Sequence, residues 1–367
     1  MSVPTATPAG TRRHLEFHPL RVARVDRLTD DAVAVTFDVP PHLAEEYAFQ
    51  AGQHLTLRTT MDGEEIRRSY SICAPAGSGT LRVAVKRVAG GVFSAHALER
   101  LRPGDVVDVL TPTGHFTTAF DPRRTRHYAA VAAGSGITPV FSLVATALAV
   151  EPESRFTLIY GNRTSASVMF LDELADLKDR YPDRLHLVHV LSREAGEVEL
   201  FTGRLDPDRL ARILDALLPV DSVDEWFLCG PFAMVTGARE LLVDRGVSPT
   251  RVHTELFFVE EAPIERAAAA EAEEAGEATV TILLDGRATV VPMRRDQRVL
   301  DAALRFRREL PFACKGGVCS TCRAKLVSGA VRMERNYALD PDELAAGYVL
   351  TCQSHPTTDQ VTLDYDW

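Results

Sequence analysis

Four cysteines near the carboxyl terminus have the spacing of an iron–sulfur site. They follow the pattern C-x4-C-x2-C, with a fourth cysteine after 29 intervening residues: Cys314, Cys319, Cys322 and Cys352. In plant-type [2Fe–2S] ligation a tight loop supplies three thiolates and a distant segment supplies the fourth. Gly316 and Gly317 suit a loop that must bring backbone N–H groups close to sulfur. We therefore predict a [2Fe–2S] cluster; structural zinc is the alternative, although zinc ribbons favour two C-x2-C pairs.

A second group of residues could bind a flavin. The run Arg68-Ser69-Tyr70-Ser71 ends one strand-like stretch, and Gly90-Gly91-Val92-Phe93-Ser94 follows the next. Arginine can bind pyrophosphate with two hydrogen bonds, an aromatic ring can cover a flavin face, and Ser71 can reach a ring nitrogen. Gly91 and Ser94 are predicted to begin a short helix whose first amides hold phosphates. Each motif alone also fits a core tyrosine or a simple turn, so the prediction depends on their combination.

A glycine-rich turn could hold a dinucleotide. Gly134, Gly136, Thr138 and Pro139 belong to the run GSGITP, between a strand-like and a helical stretch. In doubly wound folds this is where a pyrophosphate sits on a helix N-terminus. Pro139 replaces the third glycine of the usual motif and suits a first helical turn.

The end of the next predicted strand bears on nucleotide selectivity. Asn162 and Arg163 stand where an NAD-selective fold usually has an acidic residue for the ribose hydroxyl. Arg163, with Ser165 and Ser167 nearby, offers a cation and hydroxyl groups, which favours the 2′-phosphate of NADPH. A solvated surface arginine is the alternative.

The run Cys229-Gly230-Pro231 ends the fourth predicted strand. Two interpretations stay open: a thiol beside the nicotinamide where it meets the flavin, or a buried small residue before a tight turn. Tyr70, Ser71 and Cys229 are the candidate catalytic residues. Cys229 and Cys73 lie far from the cysteine loop and are not needed as cluster ligands.

The chain has 367 residues, which predicts two or three domains. From residue 15 to 120 apolar residues alternate, as in antiparallel strands of a small barrel. From 121 to 259 strand-like runs alternate with helical stretches, which predicts a doubly wound parallel sheet. Residues 260–277 hold seven Glu and one Arg and are predicted to be an acidic linker. Residues 278–367 begin with a hairpin around Asp285-Gly286, then a helix at Val299–Arg307 and the cysteine loop.

Composition excludes several classes of protein. The chain has 41 Lys and Arg against 51 Asp and Glu, and no run of basic residues, so we expect no nucleic acid partner. Six cysteines are too few for a disulfide scaffold of this length. The uncharged stretch Tyr128–Val150 is long enough to span a bilayer, but the glycine-rich turn interrupts it. We expect a soluble, cytoplasmic protein with no membrane partner.

Taken together, these motifs resemble the ferredoxin–NADP reductase superfamily fused to a plant-type ferredoxin. The resemblance implies an antiparallel FAD barrel, an α/β NADP domain and an α+β β-grasp ferredoxin domain. It also implies that Arg68, Tyr70, Ser71, Gly91 and Ser94 hold FAD and that Glu255 and Phe257 border the flavin. The chain departs from short reductases, which end near Phe257.

Finer motifs resemble the reductase subunits of bacterial phenylacetyl-CoA epoxidases. The segments that carry this resemblance are Phe17–Leu20, Tyr160–Arg163, Ser167–Phe170, Phe312–Lys325 and Tyr348–Gln353. The resemblance implies an oxidoreductase that passes electrons from NADPH to FAD, then to the cluster, and then to a separate di-iron oxygenase of phenylacetate degradation. A flavin must stand between the other two because hydride carries two electrons and the cluster accepts one. Docking is expected around Lys315, Val318 and Arg323.

Three other functions stay open at this point. The nearest is the reductase of a Rieske-type steroid hydroxylase, which has the same domain order. A non-enzymatic electron carrier and a zinc-binding interaction protein belong to other classes. The carrier is disfavoured by the presence of Arg68, Gly134 and Arg163, and a zinc protein would be colourless.

Overall fold

The computed structural model describes residues 15–61, 63–196, 198–257 and 276–366. The predicted acidic linker, residues 260–277, lies outside these residues except at its last two positions. The described chain divides into a larger unit, built mainly from residues 17–257, and a smaller one, built mainly from 276–366; residues 313–321 are counted with the larger unit.

The amino-terminal part of the larger unit is a six-stranded antiparallel sheet. Its strands are β1 (Phe17–Thr29), β2 (Ala32–Asp38), β3 (His54–Met61), β4 (Glu64–Ser71), β5 (Leu81–Lys86) and β6 (Val106–Leu110), in the order β4-β3-β6-β1-β2-β5. Ile72, just after β4, bridges Val83 of β5, so the two outermost strands meet as in a barrel. Alternating side chains such as Val33 and Val35 fill its core. Helix α1 (Val92–Glu99) follows β5. The predicted barrel is confirmed.

The second part of the larger unit is a parallel sheet with helices. It comprises β7 (His127–Ala133), α2 (Ile137–Val150), β8 (Arg155–Asn162), α3 (Leu171–Arg180), β9 (Leu185–Leu191), α4 (Pro207–Leu217), β10 (Glu225–Cys229), α5 (Phe232–Asp244) and β11 (Val252–Glu255). The strand order is β11-β10-β7-β8-β9. The order reverses between β7 and β10, and ligands of doubly wound sheets bind beyond the carboxyl ends of the strands at such a point. Strand β11 was not predicted, since four residues are too few for a periodic signal.

The uncharged stretch after His127 is a buried strand and a buried helix. Residues of β7 from Tyr128 to Ala132 are inaccessible to solvent, as expected of a parallel strand covered on both faces. Helix α2 is 14 residues long and buries all but its last two residues. Within the part of the chain that the structure describes, no helix combines the length and apolar character that crossing a bilayer requires.

The smaller unit is a mixed sheet with two short helices. Its elements are β12 (Glu277–Leu284), β13 (Arg287–Arg294), α6 (Val299–Ala303), β14 (Arg323–Ser328), β15 (Val331–Met333), α7 (Pro341–Ala345), β16 (Tyr348–Leu350), β17 (Ser354–Pro356) and β18 (Gln360–Asp364). The main sheet has the order β13-β12-β18-β14-β16, with β12 and β18 parallel. Asp285 and Gly286 both have positive φ, as a two-residue hairpin turn requires.

The helix predicted at Val299–Arg307 is shorter than expected and ends at Ala303. The N–H groups of Phe306 and Arg307 both bond to the Ala303 carbonyl, at 2.9 and 2.8 Å. The Arg307 guanidinium donates to the Leu284 carbonyl at 3.3 Å. The Ala303 carbonyl thus accepts both an i−3 and an i−4 hydrogen bond, and the regular helix gives way to a tighter turn after Ala303.

Candidate functional site

The two motifs predicted to bind flavin meet in the barrel. Tyr70 lies on β4 and Phe93 on α1, and their ring centroids are 5.5 Å apart. Arg68 is two residues before Tyr70 and therefore projects from the same face of the strand. Arg68 is exposed and donates to the Arg67 carbonyl at 2.7 Å, whereas Arg67 is buried and donates to Glu65. Arg68 is thus the arginine of this pair that can reach a pyrophosphate group.

A tight turn precedes α1. A Cβ atom at Gly91 would lie 2.7 Å from the Ser94 Oγ, so the turn has no room for a side chain there. The Ser94 hydroxyl donates to the Gly91 carbonyl at 3.0 Å and accepts the Val88 N–H at 3.1 Å. Since that hydroxyl is already engaged, the donors that this turn still offers are the first amides of α1, which have no intrahelical partner.

Ser71 and Glu255 connect the barrel to the parallel sheet. Ser71 ends β4, Glu255 ends β11, and the Ser71 Oγ donates to the Glu255 Oε2 at 3.0 Å. Burial raises the pKa of the Glu255 carboxyl to about 8, against which the Ser71 hydrogen bond acts only weakly. At neutral pH this carboxyl is therefore largely protonated, so a neutral acid lies beside the flavin motif at the carboxyl end of the sheet.

Cys229 ends β10, where it pairs in register with Glu255 of β11. Cys229 is fully buried, and burial together with the nearby Glu255 raises the pKa of its thiol well above the usual range. A neutral thiol is a weak nucleophile. Cys229 is therefore a buried, protonated thiol next to the Ser71–Glu255 pair, which fits both interpretations, and its place beside the nicotinamide stays a prediction.

The glycine-rich turn packs against the same strand end. A Cβ atom at Gly136 would lie 2.1 Å from the Cys229 carbonyl oxygen, so only glycine permits this approach. Gly134 has a φ of 54°, and its carbonyl accepts the Tyr160 hydroxyl at 3.0 Å. The Thr138 hydroxyl is buried and donates to the Ser135 carbonyl.

Two helices therefore begin at the switch point of the sheet. Pro139 is the third residue of α2, where its missing N–H costs no intrahelical bond. Pro231 precedes α5, and a Cβ atom at Gly230 would lie 2.7 Å from the Met234 side chain. The G-x-G motif follows β7 and the C-G-P motif ends β10. Because these two strands are parallel neighbours, the motifs lie side by side at the same edge of the sheet.

Of the residues predicted to bind the 2′-phosphate of NADPH, only some have side chains that are available to a ligand. Asn162 is buried at the end of β8, and Arg163 is exposed with no side-chain hydrogen bond or ion pair to any described residue. The Ser167 hydroxyl accepts the Thr164 N–H at 3.0 Å and donates to the Thr164 carbonyl at 2.7 Å. The Ser165 hydroxyl donates to the Glu194 carboxylate at 3.0 Å. Both hydroxyls expected to be free for a phosphate are therefore engaged within the protein.

Sequence reasoning missed the residues that follow β9. The Arg193 N–H donates to the Arg163 carbonyl at 2.7 Å, so these two arginines stand on neighbouring chain segments. Glu194 comes next and bonds to Ser165. The available signal was that parallel strands end at one edge of a sheet, so charged residues after β9 must lie near those after β8.

Phe257 is the last described residue before the acidic segment, and its ring is 40% exposed. It makes no ring contact with any aromatic residue that the structure describes. The prediction that Phe257 borders the flavin remains a prediction.

The cysteine loop brings backbone amides close to the Cys314 sulfur. Lys315, Gly317 and Ser320 have positive φ, so Gly317 supplies the left-handed conformation expected of a glycine here. Gly316 has a different role, since its N–H donates to the Cys314 sulfur at 3.3 Å. The contact with Cys319 and the surrounding backbone amides lower the pKa of the Cys314 thiol, whereas the same contact and burial raise the pKa of the Cys319 thiol.

Cys322 and Cys352 are held at the ends of two paired strands. Cys322 precedes β14 and Cys352 follows β16, and these strands are antiparallel neighbours. The N–H and the hydroxyl of Thr351 both donate to the Cys322 carbonyl, at 3.2 and 2.9 Å. All six cysteines of the chain are free thiols. Four unbridged thiols, one of them surrounded by amide donors, fit the ligand set of a [2Fe–2S] cluster.

Three family models match the chain in order. An oxidoreductase FAD-binding domain matches residues 19–118, an oxidoreductase NAD-binding domain matches 130–240, and a 2Fe-2S iron-sulfur cluster binding domain matches 282–357. The predicted domains for a flavin, a nicotinamide nucleotide and a [2Fe–2S] cluster are confirmed.

Curated relatives span almost the whole chain. One of the polypeptides of the 1,2-phenylacetyl-CoA epoxidase of Escherichia coli K12 is 47% identical over 95% of this chain and 98% of its own length. The ferredoxin reductase component of 3-ketosteroid-9-alpha-monooxygenase from Rhodococcus rhodochrous is 34% identical over 94% of this chain and 96% of its own length. The sequence similarity therefore includes all three domains together.

Solved structures agree on the fold. Phthalate dioxygenase reductase, a modular structure for electron transfer from pyridine nucleotides to [2Fe–2S], matches with a TM-score of 0.58 at 23% identity, over 95% of this chain and 98% of its own. A type IV self-sufficient cytochrome P450 monooxygenase matches with a TM-score of 0.69 at 21% identity, over 95% of this chain and 41% of its own.

Proposed function

Because this chain belongs to the family of reductases that join an FAD-binding, an NAD-binding and a [2Fe–2S] domain in one polypeptide, we propose that it passes electrons from NADPH through FAD and the cluster to a separate oxygenase. One observation carries this proposal: the 47% identity to a component of an epoxidase system covers 95% of the chain, across all three domains. An isolated flavin or ferredoxin domain would not explain that extent.

We assign residues to each group as the sequence motifs predict. FAD is assigned to Arg68, Tyr70, Ser71, Gly91 and Ser94, with Glu255 and Phe257 at its border. The nucleotide is assigned to Gly134, Gly136, Thr138, Pro139, Asn162, Arg163, Gly230 and Pro231. The cluster is assigned to Cys314, Cys319, Cys322 and Cys352.

When bound, FAD supplies the conversion of a two-electron hydride into single electrons, which the cluster can carry one at a time. The chain contributes binding and orientation. The first amides of α1 and the Arg68 guanidinium hold phosphate groups. Ser71 and the protonated Glu255 place hydroxyl and carboxyl groups where the barrel meets the sheet, at 3.0 Å from each other. Neither group carries a charge there, which suits a site that must exclude water.

The electron acceptor is an oxygenase, and we take it to be a di-iron enzyme that acts on phenylacetyl-CoA in phenylacetate degradation. The support is the epoxidase relative, whose identity of 47% exceeds the 34% of the steroid system relative. We place the docking contact at the cysteine loop, around Lys315, Val318 and Arg323. Electron-transfer contacts are usually small and transient.

A second candidate is the reductase of a ketosteroid monooxygenase. It is favoured by the 34% identity to such a component over 94% of this chain. The two functions share the route through FAD and the cluster and differ only in the acceptor.

Reconstitution separates the two. The purified protein, loaded with FAD and cluster, is combined with phenylacetyl-CoA epoxidase oxygenase or with a steroid-hydroxylating Rieske oxygenase, and NADPH-dependent product formation is measured. We expect faster turnover with the epoxidase. Faster turnover with the steroid enzyme would replace the first proposal by the second, and no turnover with either would show that the acceptor is a different oxygenase.

A further inference from the structure

The carboxylate of Glu194 occupies donors that a 2′-phosphate would need. Its Oε2 accepts the Ser165 N–H at 2.7 Å and the Ser165 hydroxyl at 3.0 Å. Ser165 lies two residues after Arg163, in the turn that follows β8. This turn therefore already binds one oxyanion, and that oxyanion belongs to the protein.

Sheet register places Glu194 there. Backbone pairing of β8 and β9 continues past both strands, through Ser192 N–H to the Asn162 carbonyl at 2.9 Å and Arg193 N–H to the Arg163 carbonyl at 2.7 Å. The next residue is thereby brought opposite the turn that contains Ser165. That turn is itself fixed by reciprocal hydrogen bonds between Thr164 and Ser167. Strand register and the turn thus position the Glu194–Ser165 contact, which lies at the protein surface.

The surrounding charges make the Glu194–Ser165 contact discriminate between nucleotides with and without a 2′-phosphate. Arg163 and Arg193 are exposed, and neither makes a side-chain hydrogen bond or ion pair with a described residue. Both can attract a phosphate. A phosphate beside them must either displace the Glu194 carboxylate from Ser165 or lie close to a like charge, and both cost binding free energy. A nucleotide without a 2′-phosphate leaves the contact intact.

We infer that Glu194 is a specificity-determining residue, which competes with the 2′-phosphate for Ser165 and so limits the preference for NADPH over NADH. The inference rests on the proposed nucleotide site. This specificity role differs from a purely structural role, in which Glu194 would only stabilise the turn that contains Ser165. Glu194→Gln separates the two, because the amide keeps an oxygen that can accept the Ser165 N–H but carries no charge.

The direct test is a titration of the flavin-loaded protein with adenosine 2′,5′-bisphosphate and, separately, with AMP. We expect Glu194→Gln to bind the bisphosphate about tenfold more tightly and AMP within about twofold of wild type, because the variant removes one like charge beside the phosphate. The ratio of kcat/KM for NADPH to that for NADH, with ferricyanide as acceptor, should rise by a similar factor.

Glu199→Gln is the matched control. Glu199 lies in the same connection between β9 and α4, is 82% exposed at its side chain and pairs with Arg212 at 3.3 Å. The Glu199→Gln substitution removes the same charge from a residue that does not bond to Ser165. We expect it to change neither the affinity for the bisphosphate nor that for AMP.

The Arg163→Ala variant distinguishes failure of the Glu194 inference from failure of the proposed 2′-phosphate site. If Arg163→Ala weakens the bisphosphate and spares AMP, while Glu194→Gln changes neither ligand or tightens both equally, the role of Glu194 is refuted and the nucleotide site stands. If Arg163→Ala also leaves bisphosphate binding unchanged, the assignment of the 2′-phosphate site is wrong, and the inference fails with it.

Discussion

Glu255 is the residue whose environment departs furthest from that of an ordinary carboxylate. It is half-buried beside the Ser71 hydroxyl at the junction of barrel and sheet, and desolvation raises its pKa to about 8. Between the usual carboxyl pKa of about 4.3 and that value, the folded protein binds a proton that the unfolded chain has released. Stability from this group is therefore complete below about pH 4 and is lost as the pH rises through 8.

We expect Glu255→Gln to remove this pH dependence, because an amide does not titrate. The free energy of unfolding, measured by urea denaturation from pH 5 to pH 8.5, should fall more steeply for wild type than for the variant. Glu199→Gln, which removes an exposed carboxylate that pairs with Arg212, should follow wild type. Parallel curves for wild type and Glu255→Gln would show that Glu255 is ionised in the folded state.

At the scale of elements, the site depends on how closely α2 approaches β10. Gly136 makes this close approach possible. A Cβ atom there would lie 2.1 Å from the Cys229 carbonyl oxygen, which is a backbone atom and cannot move aside alone. The two helices that begin at the switch point are thereby held against the end of the sheet, where their first amides can meet a pyrophosphate.

We expect Gly136→Ala to destabilise the protein by about 1–3 kcal/mol, as overpacking does, and to weaken binding of both NADPH and NADH. Thermal unfolding and nucleotide titration measure the two effects. Ser135→Ala changes the neighbouring residue of the same turn without adding an atom against β10 and should change neither. Selective loss of NADPH binding alone would contradict the argument, since the pyrophosphate is common to both nucleotides.

At the scale of the whole molecule, the chain has two units. The flavin and nucleotide motifs lie in the larger unit, where residues 313–321 are also counted, and the strands that hold Cys322 and Cys352 lie in the smaller one. Each unit has its own buried apolar cluster. Units with their own cores can usually fold independently.

We expect Cys322→Ser to abolish the cluster and to leave the flavin site folded. Visible absorption should lose the iron–sulfur bands and keep the flavin bands, and NADPH oxidation with ferricyanide should persist. Transfer to a one-electron protein acceptor should fall steeply. Cys73→Ser, at a buried cysteine outside the loop, tests whether any loss is specific to the ligand. If both activities collapsed together in Cys322→Ser, the two units would not be independent.

The sequence by itself determined the chemistry that local spacing encodes. The C-x4-C-x2-C loop supplies three ligands within nine residues, so their identity does not depend on how the rest of the chain packs. The alternation in residues 15–120 and the strand–helix alternation after residue 121 fixed the two main architectures, because apolar periodicity follows the geometry of each element. The glycine-rich turn and the flavin motif are recognisable because a short motif encodes its own local backbone geometry.

Only the tertiary structure decided the contacts between distant segments. Ser71 and Glu255 are 184 residues apart, and the Ser165–Glu194 contact joins two strand ends 29 residues apart. Both depend on strand order and register, which a single sequence does not show. Burial likewise decided that Cys229 is a neutral thiol, because desolvation depends on everything packed around a group and not on its neighbours in sequence.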